Sequence, residues 1–209
     1  MAIKPILFNT EMVMAILDGR KDATRRIVKG FIPDDAVWGY TAFTPKGYIS
    51  CRGTFADGYG EKFFKLPCEP GDILYVRETW CDDRPFTHDD TPGQYFYRAD
   101  TMYPRKGDYV YMNVKWHPSI HMPKEAARIW LRVMDVRVER LQKITIDGIR
   151  NEGISSMAVH AGDMDVALEE WKNLWNSTIK KFELDRYGWD ANPWVWVIEF
   201  ERCEKPEDA

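Results

Sequence analysis

The sequence predicts a mixed α+β domain built round an antiparallel, barrel-like sheet with flanking short helices. Three observations lead there. The apolar segments run in the order strand, helix, several strands, helix, helix, final strand, rather than as a strand–helix–strand alternation. No glycine-rich phosphate loop follows a strand, so no nucleotide-binding crossover is expected. Finally, the apolar phase slips once within residues 129–138. Ile129, Leu131 and Val133 alternate with polar or large residues, and the apolar phase then shifts to Val136 and Val138. An extra residue in a long strand is what a β-bulge inserts, and bulges bend the strands of small barrels.

Residues 4–8 read as a short strand. Asn9 or Thr10 caps a helix whose apolar face is Val13, Ile16 and Leu17, and Gly19 stands where a C-terminal helix glycine belongs. Residues 19–26, Gly-Arg-Lys-Asp-Ala-Thr-Arg-Arg, then crowd a lysine, a threonine hydroxyl and three guanidiniums into one tight connection. That group suits a phosphate or a polarised carbonyl, and a solvated basic loop is the plainer alternative. Residues 27–67 are rich in Gly, Pro, Asp and aromatics, with short strands such as 47–51 placed in a hairpin. Pro70-Gly71-Asp72 is a turn signal, and 73–76 a buried strand that returns to polar sequence at Arg77-Glu78-Thr79-Trp80. Residues 81–93 read as a polar loop, 94–99 as a short aromatic strand and 101–111 as irregular. His117 and His121 are four apart, but Pro118 separates them and no glutamate accompanies them. A turn packing Trp116 and Met122 is therefore expected, and no metal site. Residues 144–151 form a short helix capped by Thr145 and stopped at Gly153. Residues 163–176 form the clearest helix, burying Leu168, Trp171, Leu174 and Trp175. Residues 187–192 read as a loop. Pro193 opens the last strand, with Trp194, Trp196, Ile198 and Phe200 on one side and Val195, Val197, Glu199 and Glu201 on the other.

The 209 residues suffice for one domain with a sizeable core, and 44% hydrophobic against 30% charged residues excludes wholesale disorder. The net charge of −4 excludes a polycation that coats nucleic acid, so any such contact must come from a local patch. Two patches qualify, 20–29 and 124–143. Nine Trp, ten Tyr and ten Phe supply packed faces or stacking surfaces. Cys51, Cys68, Cys81 and Cys203 form no close pair, which fits reduced thiols in a cytoplasmic protein. The N-terminus lacks the apolar core of a signal peptide, and no stretch approaches bilayer length.

Residues 19–26, read with the 70–80 segment, resemble the ASCH domain, in which a short helix ends in a Gly-x-Lys-x-x-Thr/Glu-x-Arg motif and a Gly-Asp strand follows later. The resemblance extends to the long ASCH proteins of phages and prophages through 116–123 (Trp-His-Pro-Ser-Ile-His-Met-Pro), 139–142 (Glu-Arg-Leu-Gln), Glu152-Gly153 and 193–200 (Pro-Trp-Val-Trp-Val-Ile-Glu-Phe). It implies a PUA-like β-barrel spanning 1–209 as a single domain, with a cleft under the first helix and a family-atypical, loop-rich insertion at roughly 30–123. PUA-like barrels bind RNA or modified bases. The small bacterial ASCH enzymes remove an acetyl group from the exocyclic amine of cytidine, and their catalytic Lys, Thr and Glu match Lys21, Thr24 and Glu152. Asp22 and Ala23 depart from the polar pair usual in the phage-type motif.

The chemistry divides accordingly. For amide hydrolysis, Thr24 supplies a nucleophile. Lys21 supplies a base if burial and its Arg neighbours lower its pKa, and Glu152 moves the proton or orients Lys21. The plain alternative is a Lys21–Glu152 ion pair that ties loop to barrel. For binding, Arg20, Arg25 and Arg26 hold phosphate, Trp80 or Tyr75 stacks a base, and Glu78 accepts from an exocyclic amine. Arg77 completes this set, and an Arg77–Glu78 strand-end pair is its structural counterpart. No cofactor is expected. The partner is a nucleoside or nucleic acid, RNA ahead of DNA, and no membrane. A non-enzymatic phage accessory protein that binds a host protein or nucleic acid is the competing reading.

Overall fold

A computed structural model describes residues 1–81, 95–101 and 115–207. Apart from Cys81 and Thr101, the expected loop over 81–93 and irregular stretch over 101–111 lie outside the described residues, as does Gln94.

The fold is mixed α+β. Its main sheet has five strands: β1 (Ile3–Leu7), β2 (Ala23–Ile27), β6 (Ile73–Arg77), β9 (Trp130–Arg140) and β10 (Trp194–Cys203). Their order is β1-β6-β9-β10-β2, with β1 and β6 parallel and the other pairs antiparallel. A second sheet, β3-β4-β5, comprises β3 (Val37–Gly39), β4 (Tyr48–Phe55) and β5 (Gly58–Lys65). A short pair joins β7 (Trp80–Cys81) to β8 (Phe96–Tyr97), which leads into α2 (Arg98–Thr101). Within the expected inserted span of 30–123, residues 37–65 thus build their own sheet, while β6 belongs to the main one.

The phase slip in β9 becomes a bulge. Glu199 of β10 faces Asp135 and Phe200 faces Val133, so Met134 is left over and points to solvent. The extra residue lets Val133 and Val136 enter the same core. β10 is the spine of the fold because both of its faces are buried. Trp196, Ile198 and Phe200 join Val13 and Ile16 of helix α1 (Thr10–Leu17) in one core. Val195 and Val197 join a second core beneath α3 (Ile146–Asn151), α4 (Met157–Ala161) and α5 (Met164–Thr178), where Ile149, Val159, Trp171 and Trp175 pack. The region expected as a loop at 187–192 carries the end of α6 (Leu184–Tyr187) and a 3₁₀ turn at Trp189–Ala191. The inner face of the second sheet closes on the first core through Trp38, whose ring lies 5.1 Å from Phe64, 5.8 Å from Trp194 and 6.2 Å from Trp196. No helix among the described residues is long and apolar enough to cross a membrane.

Candidate functional site

The segment between α1 and β2 is clamped from both sides. Asn9 caps α1 by accepting from the Met12 amide at 2.8 Å. Gly19, at φ +72°, turns the chain out of the helix, and the Arg20 and Lys21 amides both donate to the Ala15 carbonyl, at 2.8 and 3.1 Å. On the far side, Thr145 caps α3 and Glu152 ends it. Lys21 and Glu152 form an isolated antiparallel bridge, and the Asp22 amide donates to the Asn151 carbonyl at 3.0 Å. Gly153 permits the close approach. Its φ is +95°, and a Cβ there would stand 2.8 Å from Ala15 Cβ and 3.1 Å from Lys21 Cβ.

This clamp buries a three-membered charge cluster. Lys21 Nζ donates to Glu152 Oε2 at 2.7 Å, the Ala23 carbonyl at 2.7 Å and the Glu152 carbonyl at 3.0 Å, which uses all three ammonium donors. Arg25 Nη1 donates to the other carboxylate oxygen, Glu152 Oε1, at 3.1 Å. The Lys21, Glu152 and Arg25 side chains are 0%, 2% and 4% exposed. Arg25 also stands 3.8 Å from Glu139 and over the Trp171 ring. Burial lowers the pKa of Lys21. The Glu152 carboxylate opposes the shift, Arg26 and Arg25 reinforce it, and the net direction is down.

The basic run is therefore not the solvated loop of the plainer alternative. Beyond Asp22 it is strand β2, paired along its length with β10: Thr24 faces Ile198, Arg25 faces Val197 and Arg26 faces Trp196. Alternation then sorts its side chains. Arg25 turns inward onto Glu152. Arg26 lies over the Phe8 ring at 5.2 Å and donates to the Leu7 carbonyl at 2.7 Å, joining β2 to β1, the two edges of the main sheet. A 290 Å³ pocket opens at this seam, lined by Lys4, Ile6, Leu7, Arg26, Leu74 and Ile198. Thr24 is buried on β2, two residues before Arg26. Among the described residues no hydrogen bond joins its hydroxyl to Lys21 or Glu152. Arg20 donates to Asp18 and to the Gly153 carbonyl, and with Met12, Glu152, Gly153 and Leu174 it lines a separate 350 Å³ pocket beside α1.

The structure does not bring the other expected binding residues to this cluster. Arg77 and Glu78 do not pair with each other. Arg77 donates to the Ile120 carbonyl at 3.2 Å and lies over the Tyr75 ring. Buried Glu78 takes a two-pronged contact from Arg128, at 2.9 and 3.1 Å, and Arg128 also holds Asp100. Burial raises the Glu78 pKa, and Arg128 counters it. Trp80 is buried between Tyr95 and His117 rather than presented as a stacking platform. Among the described residues no three metal-ligating side chains converge. Sequence reasoning missed the inward role of Arg25 and the pairing of Arg128 with Glu78. Reading 23–27 as a strand would have separated Arg25 from Arg26. Nothing local marks Arg128.

Neither a protein-family profile nor a curated protein sequence matches the chain. Among solved structures, an ASCH domain from Lactobacillus crispatus JV V101 aligns with a TM-score of 0.37 at 9% identity, over 96% of this chain and 79% of that one.

Proposed function

We propose that the protein binds a nucleobase, free or within a strand, at the Lys21–Glu152 centre, and that it hydrolyses the acyl amide on an exocyclic amine such as that of acetylated cytidine. One observation carries the reading. A fully buried lysine, its pKa held below the ordinary range, is paired with a buried glutamate and bonded to the carbonyl of Ala23, the residue before Thr24. Such a pair adds little to stability, because each desolvated ion loses several kcal/mol of hydration, on the order of what the pairing returns.

The chemistry follows from these groups. Burial favours the neutral amine, which is the form that acts as a base. Lys21 takes the Thr24 hydroxyl proton as the oxygen attacks the acyl carbon. The amide C–N bond then breaks as the proton taken up by Lys21 is relayed through the Glu152 carboxylate to the departing amine, leaving a threonine ester that water hydrolyses to the free acid. In this reading Arg26, at the seam between β1 and β2, holds a phosphate of an RNA or nucleotide ligand. A second reading, base recognition without turnover, is favoured by the saturation of all three Lys21 donors.

Acetate release from acetylated cytidine, followed by proton NMR at micromolar protein, decides between the two. The hydrolase reading predicts turnover that Thr24→Ala lowers by roughly 10²-fold or more and Thr24→Ser retains in part. Absence of acetate release by the wild type removes the hydrolase reading and leaves recognition alone.

A further inference from the structure

The outer face of the β3-β4-β5 sheet is turned away from the Lys21 centre and takes no part in the chemistry above. Its inner face is accounted for by the buried side chains Ile49, Cys51 and Phe55. The outer face is not what a solvent-facing sheet usually presents. The register places Tyr59 opposite Thr54, Glu61 opposite Arg52 and Phe63 opposite Ser50, all on that side. Tyr59 is 75% exposed and Phe63 39% exposed. Four residues apart on one strand, their α-carbons are about 13 Å apart, with Arg52 on the neighbouring strand between them. Tyr40 and Phe43, both exposed, follow β3 in the adjoining loop.

Both signs of charge stand on this face, and its carboxylates are committed to neighbouring groups. Asp57 pairs with Lys62, Asp35 is bound to the Thr54 amide and hydroxyl, and Glu61 accepts from the Ser50 hydroxyl. The exposed Lys46, Arg52 and Lys65 form no ion pair among the described residues, in a chain whose net charge is −4. Exposed aromatic faces interleaved with cations that no ion pair holds are the elements of a single-strand platform: the rings stack bases and the cations meet the phosphates between them. A protein partner would be expected to meet a contiguous apolar surface, whereas here Arg52 and Glu61 interrupt it.

We infer that the outer face of the β3-β4-β5 sheet binds single-stranded nucleic acid through Tyr59, Phe63 and Arg52, independently of the Lys21 centre. The test is fluorescence anisotropy of labelled oligouridylate and oligothymidylate, about 12 nucleotides long, against wild type and Tyr59→Ala/Phe63→Ala at several salt concentrations. Both residues are exposed, so the variant keeps the fold. Wild type binds, and the double variant is weaker by about 25-fold or more, at a minimum of about 5-fold per ring. Arg52→Ala/Lys65→Ala lowers the salt slope by about 1.4. Preference for the uridylate over the thymidylate identifies RNA as the strand, and equal binding identifies any single strand. The proposal is overturned if wild type binds neither oligonucleotide, or if the ring variant binds as wild type does. It is equally overturned if the variant's only effect is to abolish self-association seen by sedimentation. Acetate release from free acetylated cytidine is unchanged in Tyr59→Ala/Phe63→Ala, so failure here and failure of the hydrolase reading are separate results.

Discussion

Lys21 and Asp72 show how opposite outcomes arise from the same burial. Asp72 is 8% exposed, and burial alone would raise its pKa. It is overcome by Lys4 Nζ at 2.9 Å, the Ala2 amide at 2.7 Å and the Glu69 amide at 3.1 Å, so the net shift is downward. At Lys21 the single counter-charge of Glu152 does not overcome burial. The pH consequence of Asp72 follows from its lowered folded pKa: its stabilisation is present above the ordinary aspartate value of 3.8 and is lost as the pH falls through the folded value. Asp72→Asn should therefore lower unfolding free energy by about 1–3 kcal/mol at neutral pH, and should flatten the acid limb of the stability curve. Urea midpoints from neutral pH to below the ordinary aspartate pKa of about 3.9 measure both effects.

The contact between α1 and α3 depends on Gly153. Alanine there meets backbone strain at φ +95° and Ala15 Cβ at 2.8 Å, so the helix ends must separate. Gly153→Ala should destabilise by about 1–3 kcal/mol, read as a lower melting temperature, and should expose Lys21. Much at this level was legible in the sequence. The caps Asn9 and Thr145 and the stop at Gly153 are local hydrogen-bond chemistry, and the bulge at Met134 is a break in a two-residue period. β2 was not legible. Its sequence, Ala-Thr-Arg-Arg-Ile, puts two guanidiniums in the middle of a buried strand, and what makes that tolerable is Glu152 and the Leu7 carbonyl, both distant in sequence. The role proposed for Trp80 failed to foresee its cover because Tyr95 and His117 come from other segments.

For the molecule as a whole, the order of elements was readable and their pairing was not. The parallel contact of β1 with β6 and the placement of β6 between β1 and β9 are set by long-range burial, to which local apolar runs are blind. The same holds for Arg128 and Glu78, fifty positions apart. What this topology achieves is convergence: the end of α1, the start of β2 and the end of α3 meet on a single buried amine. The measurement to make is the NMR titration of Lys21 Nζ in the folded protein, in wild type and Glu152→Gln. The amine should titrate below the ordinary lysine value of 10.5, and lower still in Glu152→Gln, since the carboxylate opposes the shift. An amine that titrates at or above 10.5, or one indifferent to Glu152→Gln, would contradict a desolvated base at this centre.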